Sequence, residues 1–126
     1  MNDLLYMTGT TPEGCVLIGG VWRLAHQEGF PLELSRMIVE ERGWRIDWLE
    51  AMADASIDDN LPALMRQCES FMDGNTILRL KLVFQRLVDT EGKTYQQIID
   101  GKRENAKRFE AVTYAFAKAL SQQAVT

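Results

Sequence analysis

The residues able to do chemistry in this chain are few and far apart. His26 is the single histidine, and Cys15 and Cys68 are the two cysteines. A nucleophile–base set would need His26 beside a thiol or hydroxyl with an acid such as Glu28 behind it. Cys15 is eleven residues from His26. On one helix that is about 16 Å, too far to hydrogen-bond. Cys68 could approach only through the fold, and nothing around it in sequence suggests an activated thiol. One histidine also excludes a two-histidine metal site. The cysteine spacing fits neither a zinc motif nor a redox motif, so both are expected as buried free thiols. Of the acid pairs Glu40-Glu41 and Asp58-Asp59, the first does not converge, because neighbours on a helix diverge by about 100°. Asp58-Asp59-Asn60 lacks the alternating ligands and glycine of a calcium loop.

Gly14 and Gly19 have the spacing of a phosphate-binding loop, but Gly20-Val21 stand where Lys and Ser or Thr are needed. The ammonium and the hydroxyl of that chemistry are missing. No catalytic residue, cofactor site or metal site is therefore assigned. An enzyme using His26 or Cys68 is the least favoured of three readings.

Charge is more informative. Residues 1–92 carry 8 Lys/Arg against 15 Asp/Glu, a balance of −7, and residues 93–126 carry 6 against 3, a balance of +3. An acidic body with a basic last helix suits binding to another macromolecule or to a second copy of itself. Trp44, Trp48 and Met52 recur at i, i+4 and i+8, as core or as an anchoring surface. Lys102, Arg103, Lys107 and Arg108 form the basic cluster, with Asn105 among them. Thr94–Ile99 loosely resembles the first helix of a helix-turn-helix unit. A turn at Gly101 would then open a reading helix presenting Lys102, Arg103, Asn105, Lys107 and Arg108 to base edges.

With 126 residues, 46% apolar and 25% charged, the chain suits one folded domain. The pattern predicts an all-α fold, a single-domain irregular bundle of five to six helices over 11–126 behind a flexible arm at 1–10. Thr11-Pro12-Glu13 reads as a helix start with Cys15, Ile18, Trp22 and Ala25 on one face. Cys15–Ile18 alone would equally suit a short buried strand, and Gly19-Gly20 weaken the helix. Leu34, Met37 and Ile38 give the apolar face of a second helix. Asp47 and Glu50 make a possible capping box for a third. Leu61 to Met72 and Ile77 to Val88 give a fourth and fifth, and Thr94 with Gln97 is a second capping box. A last helix runs from about Lys102 to Gln123, with Ala106, Phe109, Val112, Phe116 and Leu120 on its stripe.

The acidic start and the lack of a long apolar run predict a cytoplasmic protein without membrane attachment. The expected function is non-enzymatic protein binding: a small regulator or inhibitor meeting another protein, or itself as a homo-oligomer. Trp44, Trp48, Met52, Arg103, Lys107 and Arg108 are the expected contacts. Nucleic-acid binding through 94–108 is the alternative.

Overall fold

The computed structural model describes residues 4–109, without the side chain of Phe109. The chain begins with a hairpin. Strand β1 (Tyr6–Thr10) pairs antiparallel with β2 (Val16–Gly19), in register Tyr6↔Gly19 and Thr10↔Val16. A bulge between Met7 and Gly9 leaves Thr8 out of the ladder, which re-aims its side chain. Helices α1 (Val21–Glu28) and α2 (Leu32–Glu41) follow. They return the chain to β3 (Arg45–Ile46), which lies parallel to β2 with Leu17 opposite Arg45. Four more helices complete the described fold: α3 (Trp48–Ile57), α4 (Leu61–Cys68), α5 (Gly74–Asp89) and α6 (Tyr95–Ala106). A 3-10 turn at Lys107–Phe109 comes last.

The protein is thus predominantly helical with a three-stranded sheet, ordered β1-β2-β3, rather than purely all-α. Two sequence signals carried double meanings. Thr11-Pro12-Glu13 forms the hairpin turn: the Thr11 N–H donates to the Cys15 carbonyl at 2.8 Å, and the Thr11 hydroxyl accepts from the Cys15 N–H at 3.0 Å. A Thr-Pro pair serves a turn as well as a helix start. Residues 6–10, expected in a flexible arm, run as β1 with Tyr6, Met7 and Thr8 buried. They are held by a partner strand about ten residues on, beyond the reach of local pattern.

Helix α3 is the centre. Every residue from Glu50 to Ala55 is buried, and α1, α4, α5, α6 and β2 all pack on it. Ala51, Ala53 and Ala55 keep its girth small, so neighbours approach closely. Around it Leu5, Ile18, Val21, Leu24, Leu32, Val39, Leu64, Ile77, Phe84, Ile98 and Ile99 form a single core. In α2 the buried positions are Leu32, Ser35 and Val39, while Leu34 and Met37, expected inward, are exposed. The Thr94–Gln97 capping box is present, with both reciprocal hydrogen bonds. Gly101 makes no turn: α6 runs through it without a break. The expected stripe beyond Phe109 (Val112, Phe116, Leu120) lies outside the described residues.

Candidate functional site

The most concentrated chemistry is a polar cluster inside the fold, of which the sequence motifs showed only the Asp47–Glu50 capping spacing. Asp47, Glu50 and Asp54 fall at i, i+3 and i+7, one face of α3 and its cap. All three are buried. Asp47 is the N-cap, its Oδ1 accepting the Glu50 N–H at 3.1 Å. Its Oδ2 accepts the bulged Thr8 hydroxyl at 2.7 Å and meets Lys102 Nζ at 2.8 Å. Asp54 pairs with Arg23 of α1, whose second nitrogen lies 3.1 Å from Asp58.

Glu50, between them, forms no ion pair among the described residues. It is 1% exposed. Its Oε1 accepts the Gly20 N–H at 3.0 Å, and its Oε2 accepts the Tyr6 hydroxyl at 2.5 Å. Burial pushes its carboxyl up to about 7, with Asp54 and Asp47 adding to the rise; the bonds from Gly20 and Tyr6 oppose it. The Tyr6 phenol is pushed upward in turn, chiefly by burial and then by Glu50. Both Glu50 oxygens are therefore committed, and the group is sealed from solvent. This arrangement locks β1, the β2–α1 junction and α3 together.

The glycines fit the same clasp. Gly20 adopts a left-handed backbone, φ 91°, and a Cβ there would lie 1.8 Å from the Leu4 carbonyl oxygen. At Gly19 a Cβ would meet the Thr8 methyl at 2.7 Å and Glu50 Cδ at 3.0 Å. Gly19 and Gly20 are thus close-approach positions, whereas Gly14 has nothing within 4 Å of its Cβ.

The cluster absorbs residues expected at the surface. Lys102 is turned to Asp47, and the Asn105 amide donates to the Thr8 carbonyl. Arg103 lies 4.5 Å over the Tyr6 ring. Lys107 pairs with Glu104 at 3.0 Å, and Arg108 is exposed. Of the aromatic stripe, Met52 is buried in the core. Trp48 is half-buried against Phe71, and Trp44 is half-buried beside it. Trp44, Trp48, Arg36 and Arg45 line a shallow groove at β3. His26 is exposed in the last turn of α1, stacked on Trp22 at 5.4 Å. Cys68 is buried, which pushes its thiol up to about 11. Both cysteines are free, and no hydrogen bond joins either to His26 among the described residues. Among those residues no group of His, Cys, Asp and Glu could hold a metal, and no helix is long and apolar enough to cross a membrane.

The surface feature that burial does not explain is the outer side of α5. Ile77 and Phe84 point into the core, with Leu80, Leu87 and Val88 packed behind them. Yet Leu78, Leu82 and Val83 are 54%, 60% and 48% exposed. A helix seated on one side ordinarily presents mainly polar residues on the other. Helical periodicity could have shown this excess, since Leu78, Leu82 and Val83 lie off the Ile77–Leu80–Phe84–Leu87 stripe. Compared with protein-family models, with curated proteins and with solved structures, the chain matches none of them.

Proposed function

We propose that the protein is a protein-binding module and that the outer side of α5 is its contact face. The observation that carries this reading is the exposure of Leu78, Leu82 and Val83 on one helix whose opposite side is already seated in the core. Isolated exposed leucines are ordinary, whereas several on one helix surface mark a place where a partner sits. The reading keeps the expected class of function and moves its contact surface. The residues expected to carry it divide differently: Arg103 is engaged with Tyr6, Lys107 with Glu104, and Met52 is inside.

Site-specific photocrosslinking in the host cell tests it. A benzophenone side chain at position 82 should give a discrete protein adduct, and one at the solvated position Gln67 of α4 should not. Leu78→Asp should abolish the adduct at 82 while leaving the urea midpoint unchanged. An adduct pattern that is the same at 82 and 67 would sink the reading.

A further inference from the structure

We infer that Glu50 is a proton-operated latch on β1: the neutral carboxylic acid holds the strand against the body, and the ionised carboxylate lets it lift. The geometry carries the inference. Three carboxylates lie along one side of α3 and its cap, and two of them have cations. Asp47 has Lys102, and Asp54 has Arg23. Glu50, between them and 1% exposed, forms no ion pair among the described residues. Its partners are neutral dipoles, the Tyr6 hydroxyl of β1 and the Gly20 N–H at the β2–α1 junction. A buried carboxylate so placed is unfavourable, whereas the acid is accommodated. With Oε1 taking the Gly20 N–H, the acid hydrogen sits on Oε2 and is donated to the Tyr6 oxygen, which can accept as well as donate.

The charges on the surrounding elements do not supply the missing cation. On α1, Arg23 feels the Glu50 charge but is engaged with Asp54 and Asp58. On α6, Lys102 is turned to Asp47, and Arg103 lies over the Tyr6 ring. The buried residues of α4 and α5 are Leu64, Met65, Cys68, Ile77 and Phe84, and burial keeps the Cys68 thiol neutral. On α3 itself, Asp47 and Asp54 both push Glu50 towards its neutral form, and burial does so most of all.

Of the elements that hold Glu50, β1 is the one able to yield. Helix α3 is packed by α1, α4, α5, α6 and β2, and Gly20 is the left-handed cap of α1. Strand β1 is at the edge of the sheet, and its ladder is broken by the bulge between Met7 and Gly9. Helix α6 holds its other side, with the Asn105 amide on the Thr8 carbonyl and Arg103 over Tyr6. Lifting β1 takes the phenol from Oε2 and the Leu4 carbonyl from beside Gly20, and so admits water to the carboxylate. It also bares the edge of β2 and frees Arg103. Such an opening is local and stops short of unfolding.

Amide hydrogen exchange of the full chain across pH tests the latch, read by NMR and corrected for each amide's intrinsic rate. A carboxyl that titrates at 4.5 with the strand open and at about 7 with it closed makes opening about seventyfold more frequent at about pH 8 than at about pH 5. Protection of the β1 amides should fall by that factor, and dilute urea should change it little. Ala53 and Ala55 of α3 should instead exchange through an opening that urea steeply promotes. Glu50→Gln should abolish the pH dependence in β1, since its amide copies the acid. Tyr6→Phe should move the fall to higher pH, because the bond from the phenol favours the carboxylate. Protection in β1 that is flat with pH, that shares the urea dependence of Ala53, or that still falls in Glu50→Gln would overturn the inference. So would a fall that Tyr6→Phe moves to lower pH.

Discussion

Replacing Glu50 with glutamine isolates the thermodynamic cost of its charge. The carboxyl ordinarily titrates at 4.5 and is pushed up to about 7 by burial in the folded chain. Between those values the folded state holds a proton that the unfolded state has released, so stability must fall as pH rises through this window. Below 4.5 both states are protonated and the residue contributes no pH dependence. Above about 7 both are ionised and the full cost is present. The gap corresponds to about 3 kcal/mol, a sizeable share of the ~5–15 kcal/mol by which a domain is usually stable. The glutamine amide would mimic the protonated form and can still accept the Gly20 N–H. The stability of Glu50→Gln relative to the parent should therefore climb by about 3 kcal/mol between about pH 4.5 and pH 8, wherever its baseline lies. Urea melts at half-unit pH steps measure this double difference, which cancels every other titrating group shared by the two proteins. The carboxyl carbon shift of Glu50 should also move with a midpoint near 7. A flat difference, or one that falls with pH, would refute the claim that burial outweighs the bonds from Tyr6 and Gly20.

Three further changes probe the same clasp. Gly20→Ala should cost about 3 kcal/mol or more in urea melts, because both the left-handed backbone and the Leu4 oxygen oppose a Cβ. Gly14→Ala, with φ 89° but nothing within 4 Å of its Cβ, should cost about 1 kcal/mol and so separates strain from clash. Asp47→Asn should cost about 2 kcal/mol, since its amide oxygen still caps α3 but its NH2 cannot accept from the Thr8 hydroxyl or Lys102. Asp47→Ala should cost about 3 kcal/mol by losing the cap and stranding Lys102 and the Thr8 hydroxyl. A thiol reagent should modify Cys15 in the native protein and reach Cys68 only with unfolding, a rate difference that vanishes in urea.

The helices were legible where their information is local. The Thr94–Gln97 box is fully formed, Asp47 does cap α3, and Pro62 sits in the first turn of α4. The sheet was not legible, because β1 is stabilised by residues 16–19 and β2 in turn by residues 45–46. Cys15–Ile18 carries the signal of a buried strand and of a helix segment equally well. Glu50 was half visible. Its spacing from Asp47 is that of a capping box, but its side chain reaches inward to Gly20 instead of back to the cap. The available signal was an acid within the apolar run Trp48–Ala55, where Asp54 recurs on the same side. Gly101 misled in the other direction. Its cost in a helix is about 1 kcal/mol, which the docking of α6 on α3 and β1 readily offsets.

Charge counted along the sequence and charge left exposed by the fold turn out to be different quantities. The basic excess after residue 92 includes Lys102 and Arg103, and the fold engages them with Asp47 and the Tyr6 ring. Arg79, Lys81 and Arg86 sit in the acidic part of the count and reach solvent, none of them in an ion pair among the described residues. Two sets of cations thus stand in different surroundings, and their variants should dissociate cleanly. Lys102→Met removes the partner of a buried carboxylate, so it should lower stability by about 1–2 kcal/mol and leave the crosslink at position 82 unchanged. R79E/R86E should leave stability within about 0.5 kcal/mol and change that crosslink. If Lys102→Met altered the crosslink while R79E/R86E did not, the contact charge would lie on α6, where the sequence count first placed it.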